Sequence, residues 1–389
     1  MTLGILLSAV LDETQHVSVT AELCKRVRFR RSTCQNCVDV CPDNAITLSP
    51  GPAINDNCSN CGLCQNACPA EVFQNDVDWD RLLLKQMESL LGKDQTSGAN
   101  KGLFIHCSQA KKQNKNSIAI HCLGKLSENV LLGAALSGLA EMNLAKGHCS
   151  QCHLKNGETL LTNAMTTSRE MVENIGLNKL ALRLIEAQKD SFKDAPLTRR
   201  ELFSKIAHRE TVDATSFLSE QDDGEIANTS LELKAGTRPS PKREMLCKLI
   251  KQNVKKQNEQ GNTRVHIIQQ ALPWKKMKVD EANCVACAIC VNVCPTGALT
   301  KIFENNQVVR HLDSSLCTNC DLCQEACPER VISFEETYAA TDLMNAQSYL
   351  VARIDMTSCA ICGETIPARR GEICTTCEKR RISPMFMNV

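Results

Sequence analysis

The stretches CSNCGLCQNACP (58–69), CVACAICVNVCP (284–295) and CTNCDLCQEACP (317–328) repeat one pattern, C-x2-C-x2-C-x3-C-P. Three closely spaced cysteines let a short loop wrap a compact metal core and present three thiolates to it. The fourth is near in sequence but reaches the neighbouring core. The proline after it helps turn the chain away. An altered copy precedes these three. In CKRVRFRRSTCQNCVDVCP (24–42), Cys34, Cys37 and Cys41 keep the spacing, but Arg31 stands where the first cysteine is due. The copies form two pairs, Cys34–Cys41 with Cys58–Cys68 and Cys284–Cys294 with Cys317–Cys327. The joining segments CPDNAITLSPGPAINDNC and CPTGALTKIFENNQVVRHLDSSLC run parallel as well. Internal repetition of this kind marks duplicated structural units.

The two units resemble bacterial dicluster ferredoxins, which hold [4Fe–4S] clusters. The resemblance implies one cluster on Cys58, Cys61, Cys64 and Cys41. It implies a second on Cys284, Cys287, Cys290 and Cys327, and a third on Cys317, Cys320, Cys323 and Cys294. A fourth would use Cys34, Cys37 and Cys68 with one more ligand. Zinc is the alternative metal, but it wants four ligands from two C-x2-C knuckles rather than four cysteines in eleven residues before a proline. Arginine cannot take the missing place. In the insert KRVRFRRST, Val27 and Phe29 alternate with Arg26, Arg28 and Arg30, which is strand periodicity. Lengthening the loop to reach Cys24 costs only about 1 kcal/mol of closure entropy, so Cys24 is the expected fourth ligand. A three-iron cluster on Cys34, Cys37 and Cys68 is the rival. The arginines either raise this cluster's potential by stabilising its reduced form or line a solvated strand face.

Twenty-five cysteines in 389 residues, an odd number mostly in C-x2-C pairs, argue for metal in a reducing compartment rather than a disulfide framework. Aromatic residues are only 3% of the chain, so metal binding is expected to supply folding free energy that a large core would otherwise give. The formal net charge of +1 gives no reason to expect nucleic acid or an anionic membrane as partner. Six loaded four-thiolate sites would bring it to about −11. The most apolar window, VLLGAALSGLA (130–140), is shorter than the ~20 residues of a spanning helix. The apolar N-terminus has no basic segment before it and makes a poor export signal. TRRELF (198–203) superficially matches a twin-arginine signal, but Thr198 and Glu201 fit a helix capping box.

Between the repeats the texture changes. GLFIHC (102–107), SIAIHC (117–122) and EMNLAKGHC (141–149) each set a short apolar run before a cysteine. SENVLLGAALSGLA (127–140), with Ser127 as cap, and ETLLTNAMTTSREMVENIG (158–176), stopping at Gly176, read as helices. Such alternation predicts a parallel sheet with covering helices. The ends of parallel strands share one edge, so Cys107, Cys122, Cys149 and Cys152 are expected to converge there. Residues 118–157 resemble the small iron–sulfur subunit of methyl-viologen-reducing hydrogenases and domains fused to heterodisulfide reductase subunits. That resemblance implies a [2Fe–2S] or similar centre on these cysteines and electron exchange with flavin-bearing partners. The closing C-x2-C pair is tighter than that family's usual spacing; zinc or plain buried cysteines are the alternatives. CSQCH (149–153) also fits a haem-attachment motif, but that chemistry follows export, so His153 is read as a surface or supporting residue. His106, His121 and His148 each precede a cysteine and either tune the centre or simply end strands.

Residues 189–275 read as a connector with breakers DAPL, QDDGEIANTS and GTRPSP. It contains one helix, 242–260, ended by Gly261. Its stripe of Met245, Leu246, Leu249, Ile250 and Val254 is expected to pack on this protein; an acidic partner is the alternative. Cys247 is a small buried residue. CAICGETIPARRGEICTTCEKRR (359–381) pairs Cys359/Cys362 with Cys374/Cys377, the spacing of a zinc-ribbon or treble-clef finger. A rubredoxin-like iron is the alternative metal, and the basic tail reads as a solvated face.

The expected architecture is α+β and multidomain. It comprises a dicluster ferredoxin-like module (1–78), a central α/β parallel-sheet domain (79–188), a helical connector (189–275), a second dicluster module (276–340) and a zinc-finger region (341–389). The expected role is a cytoplasmic electron-transfer subunit with four [4Fe–4S] clusters, one further iron–sulfur centre and zinc. No nucleotide loop, nucleophile–base arrangement or open metal site with a base is visible in the sequence, so catalysis is assigned to a partner. The resemblances point to a flavoprotein, hydrogenase or heterodisulfide-reductase-like subunit. The alternative is a metal-loaded redox-sensing regulator or scaffold.

Overall fold

Each cysteine loop closes on about one turn of helix, because short loop spacing and a following proline leave room for no more. The computed structural model describes residues 17–75, 78–93, 102–110, 117–174, 180–186, 241–259, 267–268, 275–335, 338–339 and 348–382. The first module contains β1 (Val17–Val19), α1 (Lys25–Arg28), α2 (Asn36–Val40), β2 (Ile46–Thr47), β3 (Ala53–Ile54), α3 (Leu63–Ala67) and β4 (Phe73–Asn75). Its two ends pair antiparallel, Val17 opposite Asn75 and Val19 opposite Phe73. A hairpin sets Ile46 opposite Ile54. The cysteine loops lie between these pairs and pack on Ile46, Ala70, Val72 and Phe73.

The expected strand in the arginine-rich insert is not there. Lys25–Arg28 is a helical turn, with Arg28 N–H donating to Cys24 O at 2.9 Å and Phe29 N–H to Lys25 O at 2.8 Å. A helical residue advances ~1.5 Å against ~3.3 Å for an extended one, so the turn gathers the excursion and returns Cys24 to the loop it left. Val27 consequently faces solvent at 44% exposure while Phe29 is half-buried. They do not share the strand face that alternation predicts.

The central domain follows the sequence reading closely. After α4 (Trp79–Lys93) come β5 (Gly102–Cys107), β6 (Ser117–Ile120), α5 (Glu128–Leu136), β7 (Glu141–Lys146), α6 (Gly157–Asn174) and β8 (Ala181–Glu186). All strand pairs are parallel, in the order β6-β5-β7-β8. Ser127 caps α5, its Oγ accepting from Val130 N–H at 3.3 Å. The strand β8 and helix α4 were not anticipated. The stop at Gly176 and the capping box at Thr198 and Glu201 lie outside the described residues.

Helix α7 (Pro241–Glu259) packs on this domain. Leu246, Cys247 and Ile250 join Leu84, Val130 and Leu131 in one core, with Met245 and Leu249 against it. Each fully buried leucine or isoleucine contributes about 2 kcal/mol before ordering entropy is subtracted. The helix therefore belongs to the central core, as its apolar stripe predicts; the side chain of Val254 lies outside the described residues. Arg243 at its start donates to Ser314 O at 2.6 Å and so ties the core to the second module.

β9 (Ile267–Ile268) precedes that module. The module itself holds β10 (Met277–Val279), α8 (Ile289–Val293), β11 (Leu299–Glu304), β12 (Gln307–Leu312), α9 (Leu322–Glu325) and β13 (Ile332–Phe334). β10 pairs with β13 as β1 does with β4, and β11 with β12 as β2 does with β3. A short strand β14 (Tyr338–Ala339) pairs with β9. The hairpin is longer than in the first module, and this has a use. β15 (Tyr349–Ser358) adds to β12, β16 (Thr365–Pro367) adds to β15, and α10 (Thr375–Ile382) follows. The C-terminal cysteine-bearing segment thus grows from the module's own sheet. No helix among the described residues is long and apolar enough to cross a membrane.

Candidate metal centres

The three intact loops share a backbone signature. The residues just before and just after the second cysteine are left-handed in each: Asn60 and Gly62, Ala286 and Ala288, Asn319 and Asp321, with φ between 53° and 74°. This conformation costs non-glycine residues roughly 1–3 kcal/mol each and persists where the surroundings demand it. Here it bends the loop so that three thiols face one point. All four loops also share a left-handed residue three places after the last cysteine, namely Asn44, Glu71, Gly297 and Arg330. The altered loop keeps this exit turn but lacks the entry pair; Gln35, equivalent to Gly62, has φ −143°.

Thiols within each expected set lie close enough to act on one another. Burial raises the Cys64 thiol, and Cys61, Cys58 and Cys41 raise it further. Burial likewise pushes Cys320 up to about 12, with Cys317 and Cys294 adding to it against the Leu322 N–H. Cys290 is raised by burial, opposed by Arg310, and raised further by Cys287, Cys284 and Cys327. In the altered site burial pushes Cys37 up to about 12, with Cys68, Cys34 and Cys24 adding to it. Cys24, Cys34, Cys37 and Cys68 line one opening walled by Leu48 and Phe73. Thiols this close, most of them buried or half-buried, resist becoming thiolates unless a cationic core compensates. The donor sets therefore fit the clusters that their spacing implies. Backbone N–H groups support them, Ala45 donating to Cys41 Sγ at 3.3 Å and Val72 to Cys68 Sγ at 3.5 Å.

At the carboxyl edge of the parallel sheet, Cys107, Cys122, Cys149 and Cys152 line a second opening. Gly147 N–H donates to Cys107 Sγ at 3.3 Å, Gly124 N–H to Cys122 Sγ at 3.4 Å and Leu154 N–H to Cys152 Sγ at 3.4 Å. Burial pushes Cys122 up to about 12, partly offset by Gly124 N–H, with the other three thiols adding to the rise. Gly157 was not anticipated here. A Cβ on it would lie 2.5 Å from Cys122 Sγ, so only glycine lets α6 start at the site. The histidines divide. His121 lines the opening, whereas His106 contacts its neighbour's carbonyl. His153 Nε2 bonds Asp43 Oδ1 at 2.6 Å, which joins this domain to the first module. Asn156 donating to Asp39 O and Asn66 donating to Gly124 O, both at 2.9 Å, reinforce that joint.

The sulfurs of Cys359, Cys362, Cys374 and Cys377 lie within 4.8 Å of one another and could hold a metal ion. One pair closes the turn after β15 and the other sits at the start of α10. Backbone N–H groups of Cys362, Cys374 and Ile361 hold the Cys359 thiol below its ordinary range, whereas Cys362 and Cys374 push the Cys377 thiol up to about 12. These groups of four account for every cysteine except Cys247.

The thiol sets also adjoin one another. Cys122 and Cys152 share an apolar cluster with Cys61. Cys64 and Cys37 share the next, on which Cys320 packs. Cys290 lies near enough to raise the Cys323 thiol further, after burial and the nearer thiols of its own set. Beside Cys290, buried Arg310 donates Nη1–H to Sγ at 3.2 Å, while its Nε and Nη2 have no hydrogen-bond partner. In QVVRHL it reads as an ordinary strand residue, and nothing local marks it.

Three stretches match known families. Residues 276–328 match a 4Fe-4S dicluster domain and residues 55–72 a 4Fe-4S binding domain. Residues 105–208 match the delta subunit of methyl-viologen-reducing hydrogenase. No curated protein matches the chain. The chain thus combines stretches similar to 4Fe-4S-binding domains with one similar to the delta subunit of methyl-viologen-reducing hydrogenase.

Proposed function

We propose that this chain is a non-catalytic electron-relay subunit carrying four [4Fe–4S] clusters, a [2Fe–2S] or similar centre in the central domain and a structural zinc in the finger. The observation that carries this reading is the unbroken succession of thiol sets. It runs from Cys107/122/149/152 through Cys41/58/61/64, Cys24/34/37/68 and Cys294/317/320/323 to Cys284/287/290/327. Bound iron–sulfur clusters supply one-electron exchange, whereas a four-thiolate zinc supplies none.

The chain's own residues do the rest. Leu63, Leu154, Val72 and Phe73 exclude water between successive sets. Backbone N–H groups and Arg310 donate to the sulfurs and so favour the more negative, reduced state. The relay opens to solvent at Cys287, the exposed thiol of the last set. At the other end stands the domain that matches the hydrogenase delta subunit, which supports a hydrogenase-like partner there; a heterodisulfide-reductase-like or flavoprotein subunit belongs to the same proposal.

Anaerobic purification with metal, sulfide and EPR analysis tests the reading. About eighteen irons and one zinc per chain are expected, with interacting reduced cubanes and one distinct centre. A preparation with only a few irons, or one that exchanges no electrons with any reductase of these classes, overturns it.

A further inference from the structure

The insert that displaces the first ligand also touches the other module at every turn. Lys25 Nζ pairs with Glu325 Oε2 at 3.0 Å. Arg28 Nη2 donates to Cys294 O at 2.7 Å, and Cys294 belongs to the facing thiol set. Phe29 packs on Val293, Leu322 and Ala326 beside Cys320. Cys320 in turn lies against the apolar cluster that contains Cys24 and Cys37. Intact loops have only two residues between their first two cysteines, too few to make such contacts.

We infer that the insert Lys25–Thr33 is the joint that splices the two dicluster modules into one relay, with Lys25 a positioning residue whose charge is shared by the two thiol sets that face each other across it. This rests on the relay reading above. Lys25 lies beside Cys24 in sequence and on the Glu325 helix in space, with its side chain only 13% exposed. Lys25 lines the opening of the Cys24/34/37/68 set, and its partner Glu325 stands between Cys323 and Cys327 of the facing loop. A fixed cation between two sites stabilises the reduced, more negative state of both. The step it serves is the passage of one electron between the sets, with no bond made or broken and no further reactant.

The test is a reductive titration of the full, iron-loaded chain followed by EPR, comparing wild type with Lys25→Met, Lys25→Arg and Glu325→Gln. In Lys25→Met two cubane signals should shift to lower potential while the others hold, and Lys25→Arg should restore them. Glu325→Gln removes an anion from the same joint and should shift the same two signals upward. A shift in one signal or none, at wild-type iron content, overturns the inference. If Lys25→Met fails to hold iron, Glu325→Gln decides alone. Fewer than four cubane signals in the wild type instead overturns the relay reading itself, so the two failures are distinguishable.

Discussion

The Cys24/34/37/68 set and the Cys284/287/290/327 set occupy the same place in their two modules, yet they are built differently. In the second, the loop is complete, its entry residues Ala286 and Ala288 are left-handed, and a buried arginine from the hairpin points at Cys290. In the first, the loop is opened by the insert and the left-handed pair is gone. The hairpins are in register: Asn55 N–H bonds Ala45 O as Asp313 N–H bonds Ala298 O. Three residues back from each stand Pro52 and Arg310, so Pro52 takes the arginine's place and carries no charge. Lys25, which lines the opening of this set, supplies a cation from the insert instead. The same local need is met once from within the module and once by an element that also grips its neighbour. An internal arginine serves one site, whereas a cation at the joint serves two.

The comparison breaks most directly at Cys24. Cys24→Ala should remove or convert one cubane, losing up to about four irons per chain and leaving the other signals in place. If EPR of the variant keeps the full wild-type set, Cys24 is no ligand and the three-iron alternative gains. Phe29→Ala acts next, on the joint rather than the site. A fully buried phenylalanine costs about 3–5 kcal/mol on truncation, and this one is half-buried, so roughly 2 kcal/mol is expected. Limited proteolysis of the iron-loaded protein should then cut between Cys24 and Cys34, where the wild type resists. Equal resistance would show that the insert is held by something other than its packing on Leu322 and Ala326.

Arg310→Met separates the two designs by potential. One cubane signal alone should move to lower potential, in contrast to the pair expected for Lys25→Met. Stability should change little, because replacing a buried charge by an apolar side chain of similar size is often neutral or better. A shift in two signals would erase the distinction between an internal and a shared cation.

These contrasts follow how far each feature reaches along the chain. The cysteine spacings, the parallel sheet with its Ser127 cap and the packing stripe of α7 were legible because each is written within a few residues of itself. The helical turn at Lys25–Arg28 was not. It is too short to establish a 3.6-residue period, and Val27 and Phe29 happen to alternate as a strand would. Arg310 was hidden for the opposite reason: its partner Cys290 lies on another element, and alternation in a strand does not reveal a buried arginine. The joint is more remote still, for Arg28 and Cys294 are 266 residues apart. Gly157 gave only the weak signal of a glycine before a helix, although the nearby Cys122 sulfur leaves no room for any other residue.

The left-handed entry pair gives the smallest and most local test. Gly62→Ala places a methyl group at φ +74°, 3.1 Å from the flexible end of Lys125, so backbone strain should dominate, at about 1–2 kcal/mol. Ala288→Gly runs the other way. It relieves a left-handed alanine at φ 63° but exposes the space of a methyl group that is 97% buried, worth about 0.8 kcal/mol, and loosens the unfolded chain by a similar amount. The gain and the losses nearly cancel, so this variant should stay within about 1 kcal/mol of wild type. Rates of cluster loss in anaerobic guanidinium should therefore rise several-fold for Gly62→Ala and hardly move for Ala288→Gly. The same comparison at Gln35, whose φ is −143°, should give no benefit from glycine, since the opened loop no longer needs the left-handed bend. A clear stabilisation by Gln35→Gly would mean that the altered loop closes in the same way as the other three.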